Sequence, residues 1–370
     1  MIGIFRKMLL AHKIELYPTK DQAIYLDKAC GSRRHCYNQL LNHFSDKTVK
    51  WNKKIALNFY KSLRSEFIWY SEISQRVTRN AIDDLDNAFK HFFRRVKSGK
   101  KPGFPKFKKK NINDSFSLRE QPKFDIRGRW IRIEKLKTLI KLRQQLCFNG
   151  VPKQITISKR AGKYFVSILV ETIDYNKVAG VGSIGVDLGI KNLATLSDGV
   201  VIPANQKLKD SLVKLKKLQR KLSRKQNGSN RKAKAKFQVA KLHFLISKQR
   251  KAVLHELTDM LTSKYHTICI EDLNVNGMVK NHKLARAISD AGLGMFRRFL
   301  EYKAKLRDNV VLIVNRFFPS SKMCSACGAI KDNLKLSDRI YVCDCGLMID
   351  RDRNAAINIL NYGVETFQPT

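Results

Sequence analysis

The chain has 370 residues, 43% of them hydrophobic, with twenty Phe and three Trp, enough to bury cores in two or three domains. Its net charge of +42, from 73 Lys and Arg against 31 Asp and Glu, carries a self-repulsion that a polyanionic partner relieves. These figures exclude a disordered basic tail. The lack of an apolar run near ~20 residues argues against a membrane-spanning helix, which leaves nucleic acid as the expected partner.

The opening stretch, MIGIFRKMLLAHKIELYP, is broken by Arg6, Lys7, His12 and Lys13 and cannot serve as a signal-peptide core, so a cytoplasmic location is expected. The better pattern begins at Met8, which makes the first seven residues readable as an upstream extension of the true start. Residues 8 to 17 read as a strand. Thr19 and Gln22 form a capping box that opens a helix carrying Tyr37, Leu40, Leu41 and Phe44. A stronger helical pattern follows in Val77, Ala81, Ile82, Leu85, Phe89, Phe92, Phe93 and Val96. It ends in KSGKKPGFPKFKKK, residues 97 to 110, where Gly and Pro break the helix and Phe104 and Phe107 sit among lysines. From there to about residue 172 the pattern is that of strands. It is clearest at Ile155 and Ile157, then at Tyr164, Val166, Ile168 and Val170 across the turn Arg160-Ala161-Gly162-Lys163. The first 180 residues thus read as a β-barrel or sheet with a helical insertion.

A second unit starts at Ser183 with a strand, SIGVDLGI, and LATLS as its hairpin partner. Residues 207 to 251 hold 17 Lys or Arg and one acid, Asp210. Leu242, Ile246, Val253, Leu257 and Met260 mark the apolar face of a long helix that continues past this run. A solvated face is the ordinary reading of such a run, but its charge is hard to tolerate without phosphates nearby. Then come a buried strand, HTICIEDL, a helix around residues 288 to 306, a strand at Val310 to Val314, a cysteine cluster, and a short last helix from about Asp352 to Leu360.

Hydrolysis of a phosphodiester at neutral pH needs an activated water and neutralisation of the leaving oxygen, which two divalent metals held by carboxylates supply. Asp187 lies in an apolar strand where an unpaired carboxylate is costly to bury without a cation. Gly189 beside it lets a backbone or a phosphate approach. Glu271 ends a second apolar strand. In DRDRNAAINIL, Asp350 and Asp352 are two apart, so only one faces the sheet. Asp352 is favoured, with Asp350 as a helix-capping or supporting acid. Each acid alone has a plain structural reading, as a strand-end or capping residue. Their order, on a first strand, a later strand and a final helix, is that of an RNase H-like sheet.

Four of the eight cysteines, Cys324, Cys327, Cys343 and Cys345, fall within 22 residues as CSAC and CDC, with Gly328 and Gly346 after each pair. That pattern predicts one structural zinc, closed by four thiolates. Cys30, Cys36, Cys147 and Cys269 read as small buried hydrophobes. None of the eight His forms an HxH pair, which argues against a tyrosine-type single-strand transposase with a histidine-bound metal.

GVDLGIKNLA at 185 to 194, ICIEDLNVNGM at 268 to 278, NRFFPSSKMCSACG at 315 to 328 and IDRDRNAAINI at 349 to 359 carry a resemblance, with KIELYPTKDQ and GFPKFKKK beside them. Over nearly its whole length the chain resembles the TnpB (OrfB) proteins of bacterial insertion sequences, relatives of the type V CRISPR effectors and often labelled transposases. The resemblance implies an α/β and α+β multidomain protein. Residues 1–180 would be an N-terminal wedge β-barrel with a helical recognition part, helices about 20–97. Residues 181–361 would be a RuvC-like nuclease domain with a zinc ribbon at 317–349, followed by a short tail at 362–370. It implies Asp187, Glu271 and Asp352 as catalytic acids holding two Mg²⁺, a guide RNA from the element's end, and double-stranded target DNA beside a short flanking motif. A monomer is expected, with a dimer left open, in a bacterial or archaeal cytoplasm. Pro105, Phe107 and Lys108 in the loop at 97–110, Arg220, Lys221, Arg224 and Arg231 in the basic segment, and Arg316 are the candidate nucleic-acid contacts. Two other readings stay open: guided binding without cutting, and strand transfer by the same three acids. Loss of an acid would favour the former; all three are present.

Overall fold

In the computed structural model, residues 7–46, 49–172, 178–204, 206–281, 285–335 and 338–366 are described. They fall into two units, Met1–Tyr175 and Asn176–Thr370.

The first unit begins with β1 (Met8–Tyr17), α1 (Lys20–His43), α2 (Lys53–Glu66), a short 3-10 turn (Ile68–Glu72) and α3 (Gln75–Lys97). Seven strands complete its sheet: β1 with β2 (Ser115–Leu118), β3 (Phe124–Arg127), β4 (Trp130–Ile133), β5 (Ile140–Leu142), β6 (Val151–Arg160) and β7 (Lys163–Thr172). Their order is β2-β6-β7-β1-β5-β4-β3, and every pairing is antiparallel. β1 pairs with β7 from Met8↔Thr172 to Leu16↔Tyr164 and takes β5 on its other edge at Leu16↔Leu142. The sheet curls into a nearly closed barrel around Ile14, Phe116, Ile131, Ile155 and Val166. The β6–β7 hairpin turns at Ala161 (φ 50°) and Gly162 (φ 81°), the consecutive left-handed pair that a two-residue turn between twisted strands requires.

Thr19 and Gln22 form the expected capping box. α1, α2 and α3 bury their own core, with Leu40, Tyr60, Leu85 and Phe89 at its centre. α2, not singled out from the sequence, is opened by Asn52, whose side chain accepts from the Lys54 N–H at 2.8 Å. The apolar face expected to reach Val96 ends sooner, because Phe93 and Val96 are exposed. Cys30, Cys36 and Cys269 are buried as expected, whereas Cys147 is exposed in the loop after β5.

The second unit is built on β8 (Ser183–Asp187), β9 (Asn192–Leu196), β10 (Val201–Pro203), β11 (Thr267–Glu271) and β12 (Val310–Val314), in the order β10-β9-β8-β11-β12. The first three run antiparallel to one another; β8, β11 and β12 are parallel. The basic run forms two helices, α4 (Gln206–Ser223) and α5 (Asn230–Lys264), and not one. Gly228 (φ 81°) breaks it, and Ser229 caps α5. After β11 come α6 (Val275–Met278), α7 (Ala285–Ala291) and α8 (Leu293–Arg307). The helix expected around 288 to 306 is thus divided at Gly292, which is left-handed at φ 71°. A small hairpin, β13 (Ile340–Val342) and β14 (Met348–Asp350), leads into α9 (Arg351–Thr366). α9 overruns the expected tail because its last turns are packed: Tyr362 stacks on Phe318 at 4.2 Å, and Val364 joins the same cluster. Residues 1–6 and 367–370 lie outside the described residues.

Alternation along the parallel strands sorts the two faces of the sheet. Ile184, Val186, Ile268 and Ile270 pack toward α5 and α8. Gly185 and Cys269 face α9, so closely that a Cβ on Gly185 would stand 2.0 Å from the Ala356 carbonyl oxygen. Gly185→Ala is therefore expected to push α9 off the sheet and lower stability by about 1–3 kcal/mol, the range of core overpacking. Denaturant unfolding measures this; an unchanged midpoint would rule out the close approach.

Candidate active site and cysteine ribbon

Parallel pairing sets Ile270 beside Val186, so the next residues, Glu271 and Asp187, leave the sheet side by side at its carboxyl end. Asp187 shares the face of Gly185, and Glu271 that of Cys269, the face α9 covers. Asp352 stands in the first turn of α9, four residues before Ala356, and so on the same side of the helix. Burial first, then the Asp352 and Glu271 carboxylates, push the Asp187 carboxyl up to about 7. Burial, and then Asp272, raises Glu271 as well. Two oxygen-donor acids raised by burial, with a third carboxylate acting on Asp187, are the chemistry that a hard divalent cation would relieve, although among the described residues only the four cysteines bring their ligand atoms within 4.8 Å of one another.

Asp350 has the expected capping part. Its Oδ1 accepts from the backbone N–H of Asp352 (2.9 Å) and of Arg353 (3.1 Å), which fixes the start of α9 and the position of Asp352. Asp272, the other acid beside the site, is committed to cations: it pairs with Arg316 and with Arg297 at 2.8 Å. Gly189 serves its own turn, where a Cβ would meet the Asn192 carbonyl oxygen at 2.9 Å.

The four sulfurs of Cys324, Cys327, Cys343 and Cys345 lie within 4.8 Å of one another. Cys324 and Cys345 Sγ are 3.7 Å apart, and Cys327 and Cys343 Sγ 3.6 Å. A tetrahedral zinc with bonds of about 2.3 Å requires sulfur–sulfur edges of about 3.8 Å, so the cluster fits zinc and is far too wide for a disulfide. Both knuckles close on a left-handed glycine: Gly328 N–H donates to the Cys324 carbonyl and Gly346 N–H to the Cys343 carbonyl, each at 3.0 Å. The short CDC knuckle thus closes one residue sooner than CSAC, on a three-residue rather than a four-residue span. Against the effect of burial, the backbone N–H groups of Cys327 and Ala326 hold the Cys324 thiol down to about 7.

Two buried amides tie this ribbon to α9. Asn354 Oδ1 accepts from the Ser325 N–H at 3.0 Å and its Nδ2 donates to the Met323 carbonyl at 2.7 Å. Asn358 Nδ2 donates to the carbonyls of Ser320 (2.8 Å) and Met323 (2.7 Å). Sequence reasoning missed Asn358 and Gly185. The signal was there: two Asn at i, i+4 within NAAIN present paired amides on one helix face.

Of the candidate nucleic-acid contacts, Arg220, Lys221, Arg224 and Arg231 are exposed around the turn of the α4–α5 hairpin. Phe107 is exposed, and Pro105 has neither charge nor donor. Lys108 turns inward, its Nζ 3.8 Å from the Tyr37 ring centre and 3.6 Å from Asp84. Burial, then Arg33, lowers its pKa to about 8. Asn38 brackets its backbone with two hydrogen bonds, so this lysine holds the loop to α1. Arg316 is half-exposed and oriented by Asp272. No described helix is long and apolar enough to cross a membrane.

The fold has a counterpart among solved structures. It superposes on the Cas12f1 chain of a Cas12f1–sgRNA–target DNA complex with a TM-score of 0.59 and 14% identity, over 95% of this chain and 98% of that one. Family models match at residues 166–282 (OrfB_IS605, "Probable transposase"), 294–359 ("Cas12f1-like, TNB domain") and 8–48 ("Helix-turn-helix domain"). In the last of these the described residues form β1 and α1, a strand and a single helix. Two relatives bear the name "Putative RNA-guided DNA endonuclease". That of Streptomyces pristinaespiralis is 34% identical over 96% of this chain and 89% of its own length. InsQ of Escherichia coli is 32% identical over 96% and 93%. The chain belongs to the TnpB (OrfB) family.

Proposed function

We propose that this protein is an RNA-guided DNA endonuclease of an insertion sequence, which hydrolyses target DNA at a metal site held by Asp187, Glu271 and Asp352. The observation that carries this reading is the convergence of the three acids from β8, β11 and α9 on one face at the carboxyl end of the sheet. The strand order β10-β9-β8-β11-β12, with the first pairings antiparallel and the rest parallel, supports a RuvC-like, RNase H-type nuclease domain over residues 181–361. Residues 317–349 would be its structural zinc ribbon. The barrel of the first unit would be the wedge, and α1 to α3 its recognition helices.

Divalent cations at such a site lower the pKa of water and neutralise charge on the leaving oxygen. Asp187, flanked by the other two acids, would hold such cations together with Glu271 and Asp352. Asp350 keeps Asp352 at the helix start. Guidance by RNA and action on DNA follow the names of the relatives, and a charge of +42 suits two polyanionic partners.

The test is to purify the chain from cells carrying its flanking DNA, sequence any RNA that accompanies it, and add Mg²⁺ and a plasmid library matching that RNA. Cuts beside one short motif, with free 5′-phosphate ends, are expected. Joined strands would indicate transfer, and RNA without cuts would indicate guided binding alone.

A further inference from the structure

Phe317 is 85% exposed, more than any other aromatic side chain among the described residues. A lone exposed Phe is ordinary on a surface, but this one is fixed at a particular place. β12 ends at Val314, whose register partner on β11 is Glu271. The chain then leaves the same sheet end that presents Asp187 and Glu271. Asn315 shapes the turn: its Oδ1 accepts from the Phe317 N–H at 2.9 Å, and its carbonyl from the Phe318 N–H at 3.0 Å. Phe318 points inward onto Tyr362 and anchors the turn, which leaves Phe317 held outward. Next to it, Arg316 is steered by Asp272, whose other oxygen holds Arg297. Asp272, Arg297, Asn315, Arg316, Phe317 and Tyr362 line one open pocket between the end of β12 and the last turns of α9.

We propose that Phe317 is a stacking plate for a nucleobase, and Arg316 a phosphate contact, for single-stranded DNA led to Asp187, Glu271 and Asp352. The proposal rests on the nuclease reading for its location, but its chemistry is separate. An aromatic face accepts any base, and a guanidinium held by a carboxylate keeps N–H groups free to donate to a phosphate. A contact of this kind tolerates any sequence, which a guided enzyme needs where its strand is cut.

Two measurements on the chain purified with its accompanying RNA test this. In an Asp187→Ala background, a mixed-sequence single-stranded oligonucleotide containing 2-aminopurine should be quenched on binding, and Phe317→Ala should abolish the quench. In the cutting-competent chain, Phe317→Ala should lower kcat/KM on single-stranded DNA about tenfold, with the melting temperature unchanged. Phe317→Tyr should restore both signals, and Phe317→Leu neither. Rescue by Leu equal to that by Tyr, or an Ala variant that quenches and cuts like the parent, overturns the proposal. A parent that cuts nothing but shows a quench dependent on Phe317 refutes the nuclease reading and leaves the stacking plate standing.

Discussion

Asp187→Ala should reduce target cleavage by about three orders of magnitude, since removing several kcal/mol of charge stabilisation at a metal site has that effect on rate. Affinity for RNA and DNA should barely change, because exposed Lys and Arg elsewhere carry it. The same substitution should raise the stability of the metal-free protein at high pH. The carboxyl sits at about 7 in the folded chain, above its ordinary value near 4, so the folded state binds its proton more tightly than the unfolded state. Its cost is absent below about pH 4 and grows as pH rises through 7. At pH 8, without divalent cations, the variant should therefore be more stable than the parent by about 1–3 kcal/mol, a gain that vanishes at pH 4. Cleavage time courses, filter binding and melts at the two pH values read all three effects. A fall in binding equal to the fall in cleavage would remove Asp187 from the site.

The second large effect concerns the ribbon. Cys327→Ser should lose bound zinc and unfold the knuckles, and cleavage should go with it although no carboxylate is touched. The route is through Asn354 and Asn358, which fasten Met323, Ser325 and Ser320 to α9. Asn354→Ala separates the two roles. It leaves the four thiolates intact, yet removes an acceptor and a donor from a wholly buried position, at a cost of about 2–4 kcal/mol. One zinc per chain, a lower melting temperature and cleavage reduced about tenfold or more are expected for it. Elemental analysis beside the activity assay decides: a zinc-free protein that cuts normally would defeat the ribbon's assignment.

What could be read from the sequence was whatever a short period or a fixed spacing encodes. Thr19 with Gln22 marked the start of α1, the alternation from Tyr164 to Val170 marked β7, and the cysteine spacing marked the ribbon. The paired strands ending in Asp187 and Glu271 were legible because an acid closing an apolar run is conspicuous. Less legible were places where one residue interrupts a continuous pattern. Gly228 divides the basic segment and Gly292 divides the α7–α8 region, yet neither changes the apolar spacing around it. The contact of Gly185 with Ala356 is invisible for another reason: it joins residues far apart in the chain, and only the assembled sheet shows that α9 needs a position without a side chain. The end of α9 was underestimated because Tyr362 finds its partner in Phe318, which no local pattern announces.

On the proposed reading, the positions of the acids also set how late in synthesis the site can be completed. Asp187 waits for Asp352 while 165 further residues are added, on the order of ten seconds at ribosomal rates. The basic hairpin of α4 and α5 is complete once Lys264 has been added, well before Asp352. On that reading, a product that stops between Lys264 and Arg351 would carry the basic hairpin without the third acid, Asp352.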